Sequence, residues 1–254
     1  MQSKKLYGML KELTKKDWLS LLEIPEEMVP SALILRGTRN LKSNYEKHKS
    51  YFKNILEIDS PNSVFEDILI GEYCSILIAY ASVYGDCMAS EVTHLFGVLG
   101  TPLVVQTGCC GALKMGILPG DMVTATSAHC GEGASQYYTS KKEVASSAVI
   151  NEIPKNIPVP IHKGPVWTTS ALLAEGREDI AVWGHKGYIA VDMETAATFA
   201  VAEYFNMDRV SLLFVFDNPC EGDHLLLTDA EKCKRRHHGE EAMIDATFSL
   251  VKMY

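Results

Sequence analysis

Short runs of consecutive apolar residues recur along the chain and alternate with helix-length amphipathic segments. Runs that are apolar at successive positions are typical of strands covered on both faces of a sheet. The pattern predicts six strands, Ala32–Leu35, Ile76–Ala79, Leu103–Gln106, Met122–Ala125, Ile189–Val191 and Val210–Phe216. It predicts helices over Met88–Leu99 and Glu194–Phe205. A last helix is predicted to start with Thr228 and Glu231 in capping-box spacing and to run to near Val251.

The alternation of strands and helices indicates an α/β fold with a largely parallel sheet. The most proline-rich stretch, 153–160, is only as long as a loop, so we expect one domain over residues 1–254. Residues 1–30 are predicted to be a helical lead-in. Within it, the lysines of Met1–Ser20 are interleaved with leucines and no apolar block follows, which indicates an amphipathic surface helix rather than a signal peptide.

Composition and charge narrow the classes of function. The chain has 254 residues with 24 basic and 32 acidic side chains, a net charge of −8, which argues against a nucleic-acid partner because phosphate binding needs a basic face. No run approaches the roughly 18–20 apolar residues of a membrane span. The seven cysteines are odd in number, so we expect a reduced, cytoplasmic chain with no disulfide framework. The adjacent Cys109 and Cys110 lack zinc-ligand spacing, which argues against a metal at that pair.

Ligands bind at the carboxyl ends of strands in open α/β sheets, so the residues after each predicted strand are the candidate site. Leu103–Gln106 is followed by a segment in which Gly108 and Gly111 flank two cysteines. Such glycines either let backbone N–H groups approach an anion or a sugar, or they form a tight turn. The segment 129–138, after Met122–Ala125, either contacts a planar ligand or is a surface loop.

Two further strand ends carry acids. Asp192 and Glu194 follow Ile189–Val191 at a helix start, where a carboxylate either binds ligand hydroxyls or caps the helix. Asp217 follows the apolar strand Val210–Phe216. Desolvation there would raise its pKa and favour the protonated donor form, or the residue forms an Asx-turn ahead of the next proline.

Together these segments resemble the family I nucleoside phosphorylases, which include purine nucleoside and uridine phosphorylases, methylthioadenosine nucleosidase and AMP nucleosidase. The matching segments are Gly108-Cys109-Cys110-Gly111-Ala112-Leu113 with Pro119-Gly120-Asp121, Gly131-Glu132-Gly133-Ala134-Ser135, Gly164-Pro165-Val166-Trp167-Thr168-Thr169, Val191-Asp192-Met193-Glu194-Thr195-Ala196-Ala197 and Phe216-Asp217-Asn218-Pro219. The resemblance implies a single three-layer α/β/α domain around a mixed, partly barrel-like sheet. It also implies a nucleoside substrate, no cofactor other than phosphate as a possible co-substrate, and a homo-oligomer, dimer or hexamer, whose sites borrow residues from a neighbour.

The resemblance also implies roles for single residues. Met193 would pack against the sugar, Glu194 would bind the ribose 2′ and 3′ hydroxyls, and Asp217 would hydrogen-bond or protonate the purine N7. Each role suits the reaction, since an acid at the departing base and a carboxylate near the cationic sugar both lower the barrier. Relatives carry an aromatic residue after the position of Thr169, and here Leu172 or Trp167 would take its place. The resemblance places Tyr84, Asp86 and Lys232 near the site as well.

The phosphate ligands depart from the family pattern. After the first strand this chain keeps Gly37, but the Asp-Pro pair is gone and the arginines have shifted to Arg36 and Arg39. Gln106 stands where relatives carry the second phosphate-binding arginine, and Cys109 replaces a Ser or Thr. Each lost charge-assisted contact costs roughly 1.5–3 kcal/mol, so we expect hydrolysis of a purine-type nucleoside. One alternative is phosphorolysis, if Arg36 or Arg39 reaches the position at which the arginines of the relatives hold phosphate. The other is a nucleoside-binding or storage protein without catalysis.

Overall fold

The computed structural model describes residues 9–58 and 65–254. Within these ranges the helices are α1 Lys15–Leu21, α2 Leu41–Lys49, α3 Gly85–Leu99, α4 Arg177–His185, α5 Thr195–Tyr204 and α6 Ala230–Met253. The strands are β1 Ala32–Gly37, β2 Lys53–Glu57, β3 Ile68–Tyr73, β4 Ile76–Val83, β5 Leu103–Ala112, β6 Met122–Gly131, β7 Glu143–Ala145, β8 Ile161–Thr169, β9 Ala190–Asp192 and β10 Asp208–Asp217. Residues 1–8 of the predicted N-terminal helix lie outside the described residues.

The strands form one mixed sheet with the order β10-β6-β8-β9-β5-β1-β4-β3-β2, and β7 pairs with β6. Because β10 also pairs with β5, five strands close into a barrel and β1 to β4 extend from it as an open sheet. The parallel pairings β1–β4, β1–β5 and β5–β10 bring four carboxyl ends to one edge. The predicted α/β fold with a partly barrel-like sheet is confirmed, although several pairings, such as β3–β4 and β5–β9, are antiparallel.

Burial on both faces explains the predicted strands. In β1, Ala32 and Ile34 belong to the apolar cluster that α2 and α6 complete, whereas Leu33 and Leu35 belong to the cluster built around α3. Neighbouring residues of a strand point to opposite faces, so a strand between two helical layers is apolar at every position. Phe199 of α5 packs against the barrel strands.

Four strands were not predicted. Burial along β2, β7 and β8 alternates or is partial, so these strands contain no long apolar run, and β3 has only three apolar residues before Gly71.

Three local predictions are corrected. The segment after Gln106 is neither a turn nor a loop but the second half of β5, and Gly108 is needed because a Cβ there would lie 3.1 Å from the carbonyl oxygen of Gly37. The last helix is capped by Asp229 rather than Thr228, since the Asp229 carboxylate accepts from the Lys232 amide nitrogen at 2.8 Å. Helix α1 buries Trp18 against the core, so it is more than a surface helix.

None of the helices within 9–58 and 65–254 has the length and apolarity that crossing a membrane requires.

Candidate active site

The carboxyl ends of the strands surround a cavity of about 610 Å³. The predicted site residues that line it are Arg36, Gly37, Arg39, Cys109, Leu172, Met193, Glu194 and Asp217. Gln106, Gly108 and Trp167 do not line it. The two acids at the ends of β9 and β10 therefore face one shared space rather than separate parts of the molecule.

Glu194 is held firmly at one side of this cavity. Its Oε1 accepts a hydrogen bond from the amide nitrogen of Gly85 at 2.8 Å, and Gly85 is the first residue of α3, so the carboxyl meets the positive end of a helix. A Cβ at Gly37 would lie only 2.8 Å from Glu194 Oε2, which explains the glycine at that position. Burial, and then the charge of Asp192, raises the pKa of Glu194.

Asp192, not Glu194, caps the following helix. Its Oδ2 accepts from the Thr195 amide nitrogen at 2.8 Å, and its Oδ1 accepts from Thr168 Oγ1 at 2.7 Å. The first bond satisfies a backbone N–H group at the start of α5, and the second links β9 to β8. Of the two interpretations of this segment, helix capping therefore applies to Asp192, and Glu194 is left facing the cavity.

Asp217 ends β10 and is nearly buried, with 8% of its surface exposed. Its carboxyl group has no hydrogen-bond partner within the described ranges, and the absence of a side chain at Gly111 leaves room beside it. Burial first, and then the charge of Asp223, raises the pKa of Asp217 to about 6. A fraction of the molecules therefore keeps a proton on the Asp217 carboxyl group near neutral pH.

The turn after β10 is made by Asn218 instead. Its side-chain oxygen accepts from the Cys220 amide nitrogen at 3.1 Å, and its Nδ2 donates to the carbonyl oxygens of Lys114 (3.0 Å) and Ile117 (2.9 Å). The Asx-turn that the sequence allowed at Asp217 is thus formed one residue later, and Asp217 remains available to a ligand.

Of the residues expected near the phosphate, Arg36 lines the cavity and Gln106 does not. Gln106 is fully buried, where its Oε1 accepts from Thr198 Oγ1 at 2.9 Å and its Nε2 donates to the Thr107 carbonyl, so it does not reach the cavity. Arg36 lines the cavity but is paired with Glu240 at 2.5 Å.

Other groups around this region bear on the charge of the cavity. Arg39 is exposed and lies 5.3 Å from the ring centre of Tyr84. Cys109 is exposed and lines the cavity. Four basic side chains also line the cavity, namely Arg36, Arg39, Lys47 and Arg236. The same wall carries five carboxyl groups, those of Glu175, Asp192, Glu194, Asp217 and Glu240, and Glu240 pairs with both Arg36 and Lys47. Neither arginine of the family pattern is in place, so an anion would meet basic groups only locally.

Trp167 is not a base-stacking residue in this structure, which corrects that prediction. Its ring is stacked between His129, with centroids 3.9 Å apart, and Trp183, 5.1 Å away. The first residue of segment 129–138 is thus part of this aromatic stack. Leu172, the other candidate, does line the cavity.

Of the three further residues that the resemblance placed near the site, one lines the cavity and two do not. Tyr84 lines the cavity, whereas Asp86 accepts hydrogen bonds from the amide nitrogens of Gly133 and Ala134 and holds that loop. Lys232 forms an ion pair with Asp223 and lies outside the cavity.

Sequence reasoning missed Glu175, Leu225 and Arg236, which also line the cavity. No strand precedes any of them directly, so the search at strand ends had no signal for them. Within the described part of the chain, no three His, Cys, Asp or Glu side chains are grouped so that they could hold a metal ion.

Comparison with known proteins identifies the family. Residues 42–249 match the family model described as the phosphorylase superfamily, and the chain belongs to this superfamily. A guanosine phosphorylase of Halorubrum lacusprofundi is 32% identical over 115 residues, 41% of this chain and 45% of the relative. A DeoD-type purine nucleoside phosphorylase of Alkaliphilus metalliredigens is 28% identical over 137 residues, 52% of this chain and 59% of the relative. The chain thus spans about half the length of these curated relatives.

Solved structures support the fold. Uridine phosphorylase from Vibrio fischeri ES114 superposes with a TM-score of 0.76 at 22% identity and covers 90% of this chain and 95% of its own. The curated relatives are named as phosphorylases, so the comparisons favour the phosphorolytic alternative over the hydrolysis expected from the missing arginines.

Proposed function

We propose that this protein cleaves the N-glycosidic bond of a purine-type nucleoside and transfers the ribosyl group to inorganic phosphate. The observation that carries the proposal is that Glu194 and Asp217 face one cavity while Asp192 and Asn218 take over the structural roles beside them. Membership of the phosphorylase superfamily agrees with phosphate as co-substrate and with no other cofactor. We also propose that the chain acts as a homo-oligomer, which sedimentation velocity would measure.

Asp217 acts on the base. As the C1′–N9 bond breaks, its electron pair passes to the purine ring, and the protonated carboxyl of Asp217 donates to N7. A pKa near 6 leaves this acid weak enough to hold its proton and strong enough to release it, the range in which general acids are effective. The hydrogen bond strengthens as charge develops on the leaving ring, so it lowers the barrier rather than only binding the substrate.

Glu194 acts on the sugar. Its Oε1 is fixed by the Gly85 amide, and the carboxyl accepts hydrogen bonds from the ribose 2′ and 3′ hydroxyls. These donors and the positive charge that develops at C1′ both favour the ionised carboxylate, against the burial that raises its pKa. Met193, which also lines the cavity, packs against the sugar beside it.

Phosphate attacks C1′ from the side of Gly37. Arg39 forms no ion pair with any residue of the described ranges, so its guanidinium is available to a phosphate oxygen. Arg36 is shared with Glu240, so phosphate competes with a carboxylate for it. A phosphate oxygen bonds to C1′ as the base departs, and the products are the free purine and ribose 1-phosphate.

The test is base release from inosine, guanosine, adenosine and uridine, each with and without inorganic phosphate. We expect release that depends on phosphate, with ribose 1-phosphate formed in equal amount. Release without phosphate would establish hydrolysis, the second candidate, which the buried position of Gln106 favours. If no base is released but calorimetry detects nucleoside binding, the protein is a binding protein and the catalytic proposal is wrong.

A further inference from the structure

Glu240 lies in the middle of α6 and joins two of the basic side chains of the cavity wall. Its Oε1 is 2.5 Å from Arg36 Nη2, at the end of β1, and its Oε2 is 3.4 Å from Lys47 Nζ, on α2. Arg36, Lys47 and Glu240 all line the cavity. One carboxyl group of the protein therefore bridges two cations that an anionic ligand in the cavity would also attract.

The Glu240 carboxyl is the charged partner of the Arg36 guanidinium. Burial raises the pKa of Glu240, but the charges of Arg36 and Lys47 outweigh burial and bring this pKa below its ordinary value, so the group is ionised at neutral pH. The other polar contacts of Arg36 are neutral, to Asn44 Oδ1 at 3.4 Å and Met243 Sδ at 3.9 Å. The side chain of Arg36 is only 4% exposed, and a buried charge without a counter-charge is costly.

Arg36 also lies beside the part of the cavity assigned to the sugar and the phosphate. It directly precedes Gly37, and a Cβ at Gly37 would lie 2.8 Å from Glu194 Oε2, so the end of β1 adjoins the carboxyl group proposed to hold the ribose. A guanidinium binds phosphate and carboxylate oxygens through the same N–H groups. A phosphate at this position and the Glu240 carboxylate therefore compete for Arg36.

We infer that Glu240 sets the affinity for phosphate, because it holds Arg36 and Lys47 as an internal anion that phosphate has to displace. The inference rests on the proposed function, in which phosphate attacks C1′ from the side of Gly37. Phosphate that binds the wild type breaks one ion pair for each that it forms with these cations, so its net gain is small. Without the Glu240 charge, phosphate would neutralise an unpaired buried guanidinium, and its binding would be stronger.

The experiment measures kcat and the KM for inorganic phosphate, at saturating nucleoside and constant ionic strength, in the wild type, Glu240→Gln and Glu241→Gln. Glu241 is the next residue of α6, is exposed and pairs with His237 at 3.2 Å, so the control makes the same chemical change outside the cavity lining. We expect Glu240→Gln to lower the KM for phosphate by about 10- to 100-fold, the equivalent of one charge-assisted interaction. Its kcat should change much less, and Glu241→Gln should behave as the wild type.

Two further variants distinguish competition for Arg36 from a general change of structure. Glu240→Asp keeps the charge on a side chain that is one methylene group shorter, so it should lower the KM for phosphate by an intermediate amount. This variant decides the question if Glu240→Gln does not fold. In an Arg36→Gln background, Glu240→Gln should change the KM for phosphate much less, because the guanidinium for which the two anions compete is absent.

The outcomes separate the two proposals. If base release by the wild type depends on phosphate but the folded Glu240 variants do not lower the KM for phosphate, the inference about Glu240 is wrong and the proposed function stands. If the wild type releases no base, or releases it without phosphate, the proposed function is wrong, and the rise in melting temperature on addition of inorganic phosphate still tests Glu240. A larger rise for Glu240→Gln than for the wild type and Glu241→Gln would support the inference, and equal rises would overturn it.

Discussion

The ends of β9 and β10 place their acids in the same cavity by opposite arrangements. At β9 the first polar residue, Asp192, caps a helix and the later one, Glu194, faces the cavity. At β10 the first, Asp217, faces the cavity and the later one, Asn218, makes the turn. In each pair one side chain bonds the backbone next to it in the chain, and the other faces the cavity.

The two acids that face the cavity, Glu194 and Asp217, also differ in their surroundings. Glu194 accepts a backbone hydrogen bond at the start of α3, which fixes its orientation, whereas Asp217 has no partner within the described residues. The first environment suits a group that positions a sugar, and the second suits a group that gives up a proton. Environment, more than residue type, therefore separates the proposed roles of two carboxylic acids.

The largest effect is expected at Asp217. Asp217→Asn removes the proposed proton donor and should lower kcat by about 10²- to 10⁴-fold without loss of folding. In the wild type, kcat/KM should fall as the pH rises above about 6, because the raised pKa of Asp217 marks the loss of its proton. The residual activity of the variant should not follow that change. Asp208→Asn, at the opposite end of β10, is the control, and a loss of less than tenfold at Asp217 would contradict its role as acid.

A smaller effect is expected at Glu194. Glu194→Gln keeps an oxygen to accept from the Gly85 amide but removes the charge that the ribose hydroxyls and the cationic sugar need. We expect kcat/KM to fall by about 10- to 100-fold, the equivalent of one charge-assisted interaction. Repeating the assay with 2′-deoxynucleosides gives the control, since the loss should shrink when one of the hydroxyls is absent. An equal loss for both sugars would show that Glu194 does not bind the 2′ hydroxyl.

The smallest effect, on stability, is expected at Asp192. Asp192→Ala removes the cap of α5 and should lower the free energy of unfolding by about 0.5–2 kcal/mol. Urea denaturation of this variant beside Glu194→Gln checks the division of roles, because only the change at Asp192 should lower stability. If both variants lose equal stability, the contrast between the structural and the ligand-facing acid is wrong.

The sequence pattern predicted those strands whose burial is two-sided. β1 and β10 lie between helical layers and are therefore apolar along their length, whereas β8 alternates buried and half-buried positions and was missed. The acids of the candidate site were found because each directly follows a predicted strand. Glu175 was missed for the converse reason: it follows a 3₁₀ turn, and nothing in the local pattern shows that its Oε1 becomes buried.

Local patterning along the chain was enough for the order of the main elements, the two-sided sheet and the position of two acids at strand ends. It was enough because side-chain periodicity follows burial within a single element. Closure of the barrel, the partners of Asp192 and Glu194, and the capture of Trp167 in an aromatic stack depended on the tertiary structure. Each of these joins residues far apart in the chain, such as Thr168 and Asp192 or Gly85 and Glu194, and such contacts exist only after the strands have paired.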